Sequence, residues 1–122
     1  MSVQKHLSIE RLVSEAVDIT PFQRRVYLEL IKVPSGTTIT YGELARRINC
    51  RSARAIGQAL RRNPFAVGCN RGGLSFTKSY CVPCHRVISS NGHIGGFMGN
   101  ADGPMVERKI RLLEEESVVL HT

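Results

Sequence analysis

The chain has 122 residues, 42% of them hydrophobic, and a formal net charge of +7. That is enough for one domain with a single modest core. Its apolar runs are only a few residues long, so no membrane span is expected, and MSVQKHLSIE has no apolar h-region, so a cytoplasmic protein with mostly reduced cysteines is expected.

Residues 1–18 suit a short amphipathic helix, with Leu7, Leu12, Val13 and Ala16 loosely on one side. Thr20-Pro21-Phe22-Gln23 is a strong helix start: Thr as N-cap, Pro at the first helical position, Gln three residues after the cap. The helix it opens carries Phe22, Val26, Tyr27, Leu30 and Ile31 at core spacing and stops before Pro34-Ser35-Gly36. Thr37-Thr38-Ile39 then reads as a short extended piece. Thr40-Tyr41-Gly42-Glu43 reads as a second capping box, opening a helix through Ile48. After a turn at Asn49-Cys50, Ser52 caps a third helix that ends at Asn63-Pro64.

Two short helices across a tight turn make a helix-turn-helix. On its second helix Ala53, Ile56, Gly57 and Leu60 lie along one side, and Arg54, Gln58, Arg61 and Arg62 along another. An apolar stripe backed by a basic one is what a DNA-reading helix needs. Residues 65–82 read as irregular and Val87-Ile88 as a short strand; Met105 to Glu116 read as a last helix with Val106, Ile110 and Leu113 at core spacing. No Asp or Glu occurs from Leu44 to Ala101, a stretch holding Arg46, Arg47, Arg51, Arg54, Arg61, Arg62, Arg71, Lys78 and Arg86. Such segregation is the footprint of a polyanion site, because cations facing phosphates release condensed counterions.

Pro83-Cys84-His85-Arg86-Val87 sets a thiol, an imidazole and a guanidinium side by side after a stiff proline. An unperturbed thiol titrates near pH 8.5, so about a few per cent is thiolate at neutral pH. Neighbouring His and Arg are expected to raise that fraction, and the thiolate is the form that attacks carbon. With Arg54-Ala55-Ile56-Gly57-Gln58-Ala59-Leu60-Arg61-Arg62-Asn63-Pro64 upstream and Gly95-Gly96-Phe97 downstream, the segment resembles the O6-alkylguanine-DNA alkyltransferases, from about Phe22 to Glu116.

The resemblance implies that Cys84 accepts an alkyl group from O6-alkylguanine in double-stranded DNA, once per molecule and without cofactor or metal. It implies that His85 takes the thiol proton through a water, oriented by Glu116, the position two residues after Leu112-Leu113-x. Tyr41 matches the tyrosine that hydrogen-bonds the leaving guanine, and Asn63 the asparagine that ties the helix-turn-helix to the active-site loop. Arg54 matches the arginine that enters the stack when the nucleotide is turned out, at a cost of about a few kcal/mol. The family docks this helix in the minor groove, where small residues such as Gly57 permit close approach and Arg61 adds to the basic stripe. Gly42 and Ser90 stand where the family makes backbone contacts with DNA.

The expected fold is mainly α: a small helical bundle with a winged-helix-like helix-turn-helix and a short β-hairpin or extended active-site loop. Residues 1–20 form an N-terminal helix or arm, residues 21–122 the alkyltransferase domain, and the protein is a monomer without a membrane partner. Competing readings remain. Cys81-Val82-Pro83-Cys84-His85 is also a literal haem-attachment signature, and Cys50, Cys69, Cys81 and Cys84 are a candidate zinc set with irregular spacing. Alkyltransferase-like proteins share the helix-turn-helix but lack the reactive cysteine and bind damage without transfer; Cys84 argues for transfer. The chain also departs from the family. Many family members carry a separate N-terminal α/β domain, which this chain is expected to lack. Eighteen residues separate Pro64 from Pro83 where the family has a handful, a stretch that either touches DNA or is a surface excursion. Cys69 and Cys81 flank it and are a candidate oxidative pair. Met98 replaces a small hydroxyl residue, and Asp102-Gly103-Pro104 is a second small insertion.

Overall fold

The computed structural model describes residues 8–89 and 103–118. Leu7, Ser90, Gly95, Gly96, Phe97 and Met98 lie outside the described residues, so the expectations placed on them are not addressed. The architecture is mainly α, with five helices among the described residues and two minimal sheets.

Local chemistry starts four of those helices. Ser8 caps α1 (Ile9–Glu15) by accepting from the Arg11 N–H. Thr20 caps α2 (Pro21–Leu30) in a full capping box: the Gln23 N–H donates to its hydroxyl at 3.0 Å and the Gln23 side chain accepts from its N–H at 2.8 Å. Thr40 caps α3 (Tyr41–Arg47) and Ser52 caps α4 (Ala53–Arg61). Each cap is worth about 1 kcal/mol. The second predicted box is half realised, because the Glu43 carboxylate pairs with Arg46 and Arg47. Asn49, in the left-handed region at φ 59°, makes the turn between α3 and α4.

Tyr27 shows how the bundle locks. It is fully buried, its hydroxyl donates to the Ala59 carbonyl of α4 at 2.6 Å and accepts from Gln23 Nε2 at 3.1 Å, and its ring meets Phe65 edge-on at 5.8 Å. Val13 of α1, Val26 and Leu30 of α2, Leu44 of α3, Ile56 of α4 and Phe65 are all fully buried around it. Such side chains contribute about 1.5–3 kcal/mol each. On α4 the buried set is Ile56, Ala59 and Leu60, whereas Ala53 is exposed. The apolar stripe therefore lies one helical step further along than its sequence spacing suggested.

The stretch 65–82 is not irregular: it is a hairpin excursion, largely exposed from 68 to 79 and anchored by a few buried residues. β2 (Asn70–Arg71) and β3 (Leu74–Ser75) pair antiparallel, with Gly72 and Gly73 at φ 55° and 85° in the two-residue turn. Two positive φ values are what a type I′ hairpin demands. Phe65 and Phe76 anchor the stretch in the core edge-to-face at 5.8 Å, and Tyr80 stacks on Phe76. Its cations are paired: Arg71 with Asp18, lying 4.9 Å over the Phe65 ring, and exposed Lys78 with Glu115. The second sheet joins β1 (Ile39–Thr40) to β4 (Val87–Ile88) in parallel, tying the start of the helix-turn-helix to the segment that follows Cys84.

The last helix, α5 (Pro104–Glu115), buries Val106, Lys109, Leu112 and Leu113; Ile110, assigned to the core from spacing, is only half-buried. The helix ends in a Schellman motif. Ser117 sits at φ 66°, its N–H bonds the Glu114 carbonyl at 2.9 Å, and the Val118 N–H bonds the Leu113 carbonyl at 3.0 Å. A serine there carries left-handed strain that glycine avoids. Ser117→Gly should therefore stabilise by about 0.5–1 kcal/mol, a rise of roughly 2–5 °C in Tm by calorimetry. A fall in Tm would mean the left-handed cap is not formed.

Candidate active site

Cys84 opens a 3₁₀ turn (Cys84–Arg86), its N–H bonding the Val82 carbonyl at 2.8 Å across Pro83 at φ −81° and ψ 67°. That is an inverse γ-turn, a shape proline's fixed φ favours. Asn63, at the end of α4 and 2% exposed, holds this turn: its Nδ2 donates to the Val82 carbonyl at 3.0 Å and its Oδ1 accepts from the Phe65 N–H at 2.9 Å. The Asn63 side chain also hydrogen-bonds the Cys84 thiol. The asparagine thus links the basic helix to the thiol.

The thiol is not pre-ionised. Burial pushes Cys84 up to about 11, with the Asn63 hydrogen bond and the Lys109 charge pulling the other way. At pH 7 a thiol with that value is thiolate in about one molecule in ten thousand. The expectation that His85 and Arg86 raise the thiolate fraction is corrected here, because both are turned elsewhere. His85 Nε2 lies 3.0 Å from Glu116 Oε2. Arg86 donates from Nε to Glu116 Oε1 at 2.8 Å, from Nη2 to Oε2 at 2.7 Å and from Nη1 to the Val33 carbonyl at 2.9 Å.

This triad is almost dry: His85, Arg86 and Glu116 are 1%, 6% and 8% exposed. Burial alone would raise the Glu116 carboxyl, but the hydrogen bonds from Arg86 and His85 outweigh it and hold the group below the usual carboxylate range. Burial pulls His85 below the ordinary imidazole value, against the hydrogen bond and charge of Glu116. At neutral pH the set is therefore a neutral imidazole against an ionised carboxylate. With Nε2–H donating to Glu116, Nδ1 is left as the basic nitrogen. Glu116 stands apart from its neighbours, since Glu114 and Glu115 are exposed.

Sequence reasoning missed Lys109. It is fully buried, its Nζ donates to the Val87 carbonyl at 2.6 Å, and burial lowers it to about 8, with the Cys84 charge acting in the opposite sense. The signal was present: Val106, Lys109 and Leu113 share one helix face, and a lysine at a core position needs a reason. Half-buried Tyr41 opens α3, and burial, with a smaller contribution from Cys84, raises its hydroxyl, which stays a donor at neutral pH.

The metal readings find no support here. Among the described residues no three His, Cys, Asp or Glu side chains are grouped to hold an ion, and the four cysteines form no disulfide. The haem reading loses its ligand, since His85 is buried against Glu116.

The cations of the acid-free stretch divide. Arg46, Arg47, Arg71, Lys78 and Arg86 are paired with acids of the chain. Arg51, Arg54, Arg61 and Arg62 are exposed and form no ion pair among the described residues, and all four lie on α4 or at its ends. Gly57 leaves open space on this helix where a Cβ would stand, and half-buried Gly42 lies in the first turn of α3.

A helix-turn-helix with an uncommitted basic helix, at whose end lie a buried thiol held by Asn63 and a buried imidazole–carboxylate pair, defines a class of helix-turn-helix thiol proteins. The model of the 6-O-methylguanine DNA methyltransferase DNA-binding domain matches residues 21–118, and the chain belongs to that family. A methylated-DNA–protein-cysteine methyltransferase of Thermococcus sibiricus is 44% identical over 100 residues, 81% of this chain and 46% of that protein. The homologue from Methanosarcina mazei, of the same name, is 38% identical over 81% of this chain and 53% of its own. The OGT of Mycobacterium tuberculosis in complex with DNA superposes with a TM-score of 0.62 at 37% identity, covering 81% of this chain and 50% of that one. Atl1 of S. pombe, in complex with damaged DNA containing O6-carboxymethylguanine, gives a TM-score of 0.62 at 29% identity over 86% of this chain and 83% of its own. The chain spans about half the length of the curated methyltransferases it matches.

Proposed function

We propose that this chain repairs DNA by transferring the alkyl group of O6-alkylguanine in a duplex to Cys84. The observation that carries the reading is the buried thiol hydrogen-bonded by Asn63 beside an imidazole that Glu116 and Arg86 hold in one orientation. The Cys84 proton passes to His85, through a water, as the sulfur attacks the alkyl carbon. An S–C bond forms and the C–O6 bond breaks. The departing guanine takes up a proton, and the Tyr41 hydroxyl steadies the charge on it. The thioether is stable, so each molecule acts once and needs no cofactor.

Burial of the thiol fits this cycle. A thiol kept protonated resists stray oxidation and is ionised only when a base and an electrophile are both in place. Arg54 enters the stack when the nucleotide turns out, Arg61 and Gly57 support α4 in the groove, and Gly42 and Ser90 meet the DNA backbone. The working compartment is the cytoplasm, where the thiols stay reduced. Among the described residues no helix is long and apolar enough to cross a membrane.

The test is intact mass after incubation with a duplex oligonucleotide carrying O6-methylguanine. The wild-type chain should gain one methyl group on Cys84, and Cys84→Ala should gain none while still binding the duplex. Arg54→Ala should slow repair in the duplex more than reaction with free O6-benzylguanine. Tight lesion binding with unchanged mass would instead establish the sensor reading, which is not favoured by relatives at 36% to 44% identity that are all named as methyltransferases.

A further inference from the structure

We propose that Gly36 is a positioning residue for the proton relay: the turn it closes packs on the end of α5 and holds Glu116 where one carboxylate reaches both His85 and Arg86. The inference rests on the reading of His85 and Glu116 as the relay for Cys84, and it adds a part that lies far from the thiol in sequence and touches neither Cys84 nor α4.

Pro34, Ser35, Gly36 and Thr37 form a tight turn, the Thr37 N–H bonding the Pro34 carbonyl at 3.2 Å and the Thr37 hydroxyl bonding the same oxygen at 2.7 Å. Gly36 is at φ +88°, the positive value that the third residue of a type II turn requires. The turn then meets the triad twice. A Cβ on Gly36 would stand 3.3 Å from the Glu116 main-chain oxygen, close enough that the end of α5 would have to yield by a few tenths of an ångström. Just ahead of it, the Val33 carbonyl accepts from Arg86 Nη1 at 2.9 Å. One short loop therefore abuts the backbone of the acid and orients the guanidinium that grips the acid's side chain.

From the other side, Glu116 is fixed by the Schellman motif: its N–H bonds the Leu112 and Leu113 carbonyls, and Ser117 behind it is held in the left-handed region. The acid thus sits between a helix end that cannot slide and a turn with no side chain at its point of contact. A buried carboxylate that must satisfy two donors within about 3 Å tolerates little displacement, since hydrogen bonds weaken steeply with misalignment.

Two substitutions separate the contact from the turn. Gly36→Ala burdens both, because alanine resists the positive φ. Gly36→Asn keeps the turn, since asparagine accepts this conformation, but still pushes a Cβ at the Glu116 oxygen. The readout is the rate of methyl transfer from the O6-methylguanine duplex as a function of pH, per molecule of alkylatable Cys84. Glu116 raises His85 against the effect of burial. Loosening Glu116 lowers His85 further, so Gly36→Asn should cut the plateau rate roughly fivefold or more and move the acid limb to lower pH, in the direction of Glu116→Gln. Val13→Ala, a core truncation in α1 away from the triad, should lose stability and leave the acid limb in place. The positioning role is overturned if Gly36→Asn, corrected for active molecules, keeps the wild-type rate and limb while Glu116→Gln loses them, or if Val13→Ala moves the limb equally. A Glu116→Gln variant that behaves like wild type would instead bring down the relay itself.

Discussion

Arg86→Ala should destabilise the fold by about 3–5 kcal/mol at pH 7, a loss of roughly 10 °C or more in Tm, and abolish measurable transfer. Arg86 is 6% exposed and spends its fork on both oxygens of Glu116 and on the Val33 carbonyl. Removing it leaves an ionised carboxylate in a nearly dry site, with His85 as its one remaining side-chain partner among the described residues, and deprives a carbonyl of its donor. The cost is that of the stranded charge rather than of the attraction lost. Arg86→Lys should recover little, because an ammonium cannot grip both oxygens and reach Val33 as well.

The pH dependence carries the sign of this argument. In the wild-type chain Glu116 is held below the ordinary carboxyl value, so its stabilisation is present above about pH 4.3 and fades as the pH falls through its lower folded value. Buried His85 adds to the loss on the acid side, since below about pH 6.5 the unfolded chain takes up its proton first. In Arg86→Ala the His85–Glu116 pair gains a proton at a higher pH, which relieves the stranded charge. The stability gap between variant and wild type should therefore narrow as the pH falls from 7 towards about 4. A gap of under a degree or two at pH 7, or one that widens in acid, would contradict the buried triad.

What the sequence disclosed is what is local. Thr20, Thr40 and Ser52 announce helix starts because capping needs only a hydroxyl and the N–H two or three residues on. Cys84, His85, Asn63 and Tyr41 were singled out by resemblance and not by any local pattern. The missed features depend on partners distant in the chain. Val87-Ile88 and the extended piece before Thr40 were read from the sequence, but not their parallel pairing across almost fifty residues. The Gly72-Gly73 turn was visible as a pair of glycines, but its anchors, Phe65 and Phe76, read only as scattered aromatics. The electrostatics were least legible. Adjacency in sequence suggested that Arg86 serves Cys84, whereas the 3₁₀ turn directs it to an acid thirty residues away. Burial, a property of the assembled core, reverses the expected state of the thiol.

Lys109→Met should make the protein more stable and a poorer alkyl acceptor. The ammonium is fully buried and held at about 8, below the ordinary lysine value near 10.4, a difference that corresponds to roughly 3 kcal/mol of unfavourable charge burial. Against that stands its hydrogen bonding, which includes the bond to the Val87 carbonyl, whose loss costs about 1–3 kcal/mol. Methionine fills a similar volume without charge, so a net gain of about 1 kcal/mol, or roughly 4 °C in Tm, is expected. The advantage should be full below about pH 8 and shrink as the pH rises towards 10.4, because the wild-type chain sheds its buried proton in that interval while the unfolded chain keeps its own. Transfer moves the other way. Lys109 is the nearby cation that pulls the Cys84 thiol down from the value burial would impose. Without it the thiolate formed during attack is less favoured, and the rate of methyl transfer at pH 7.5 should fall. Thermal melts under reducing conditions and single-turnover transfer on the same two proteins decide the matter. A destabilised but fully active Lys109→Met would show that the lysine serves the fold alone. A stabilised and slowed one identifies a charge kept inside the core, against the interest of the fold, for the sake of one sulfur.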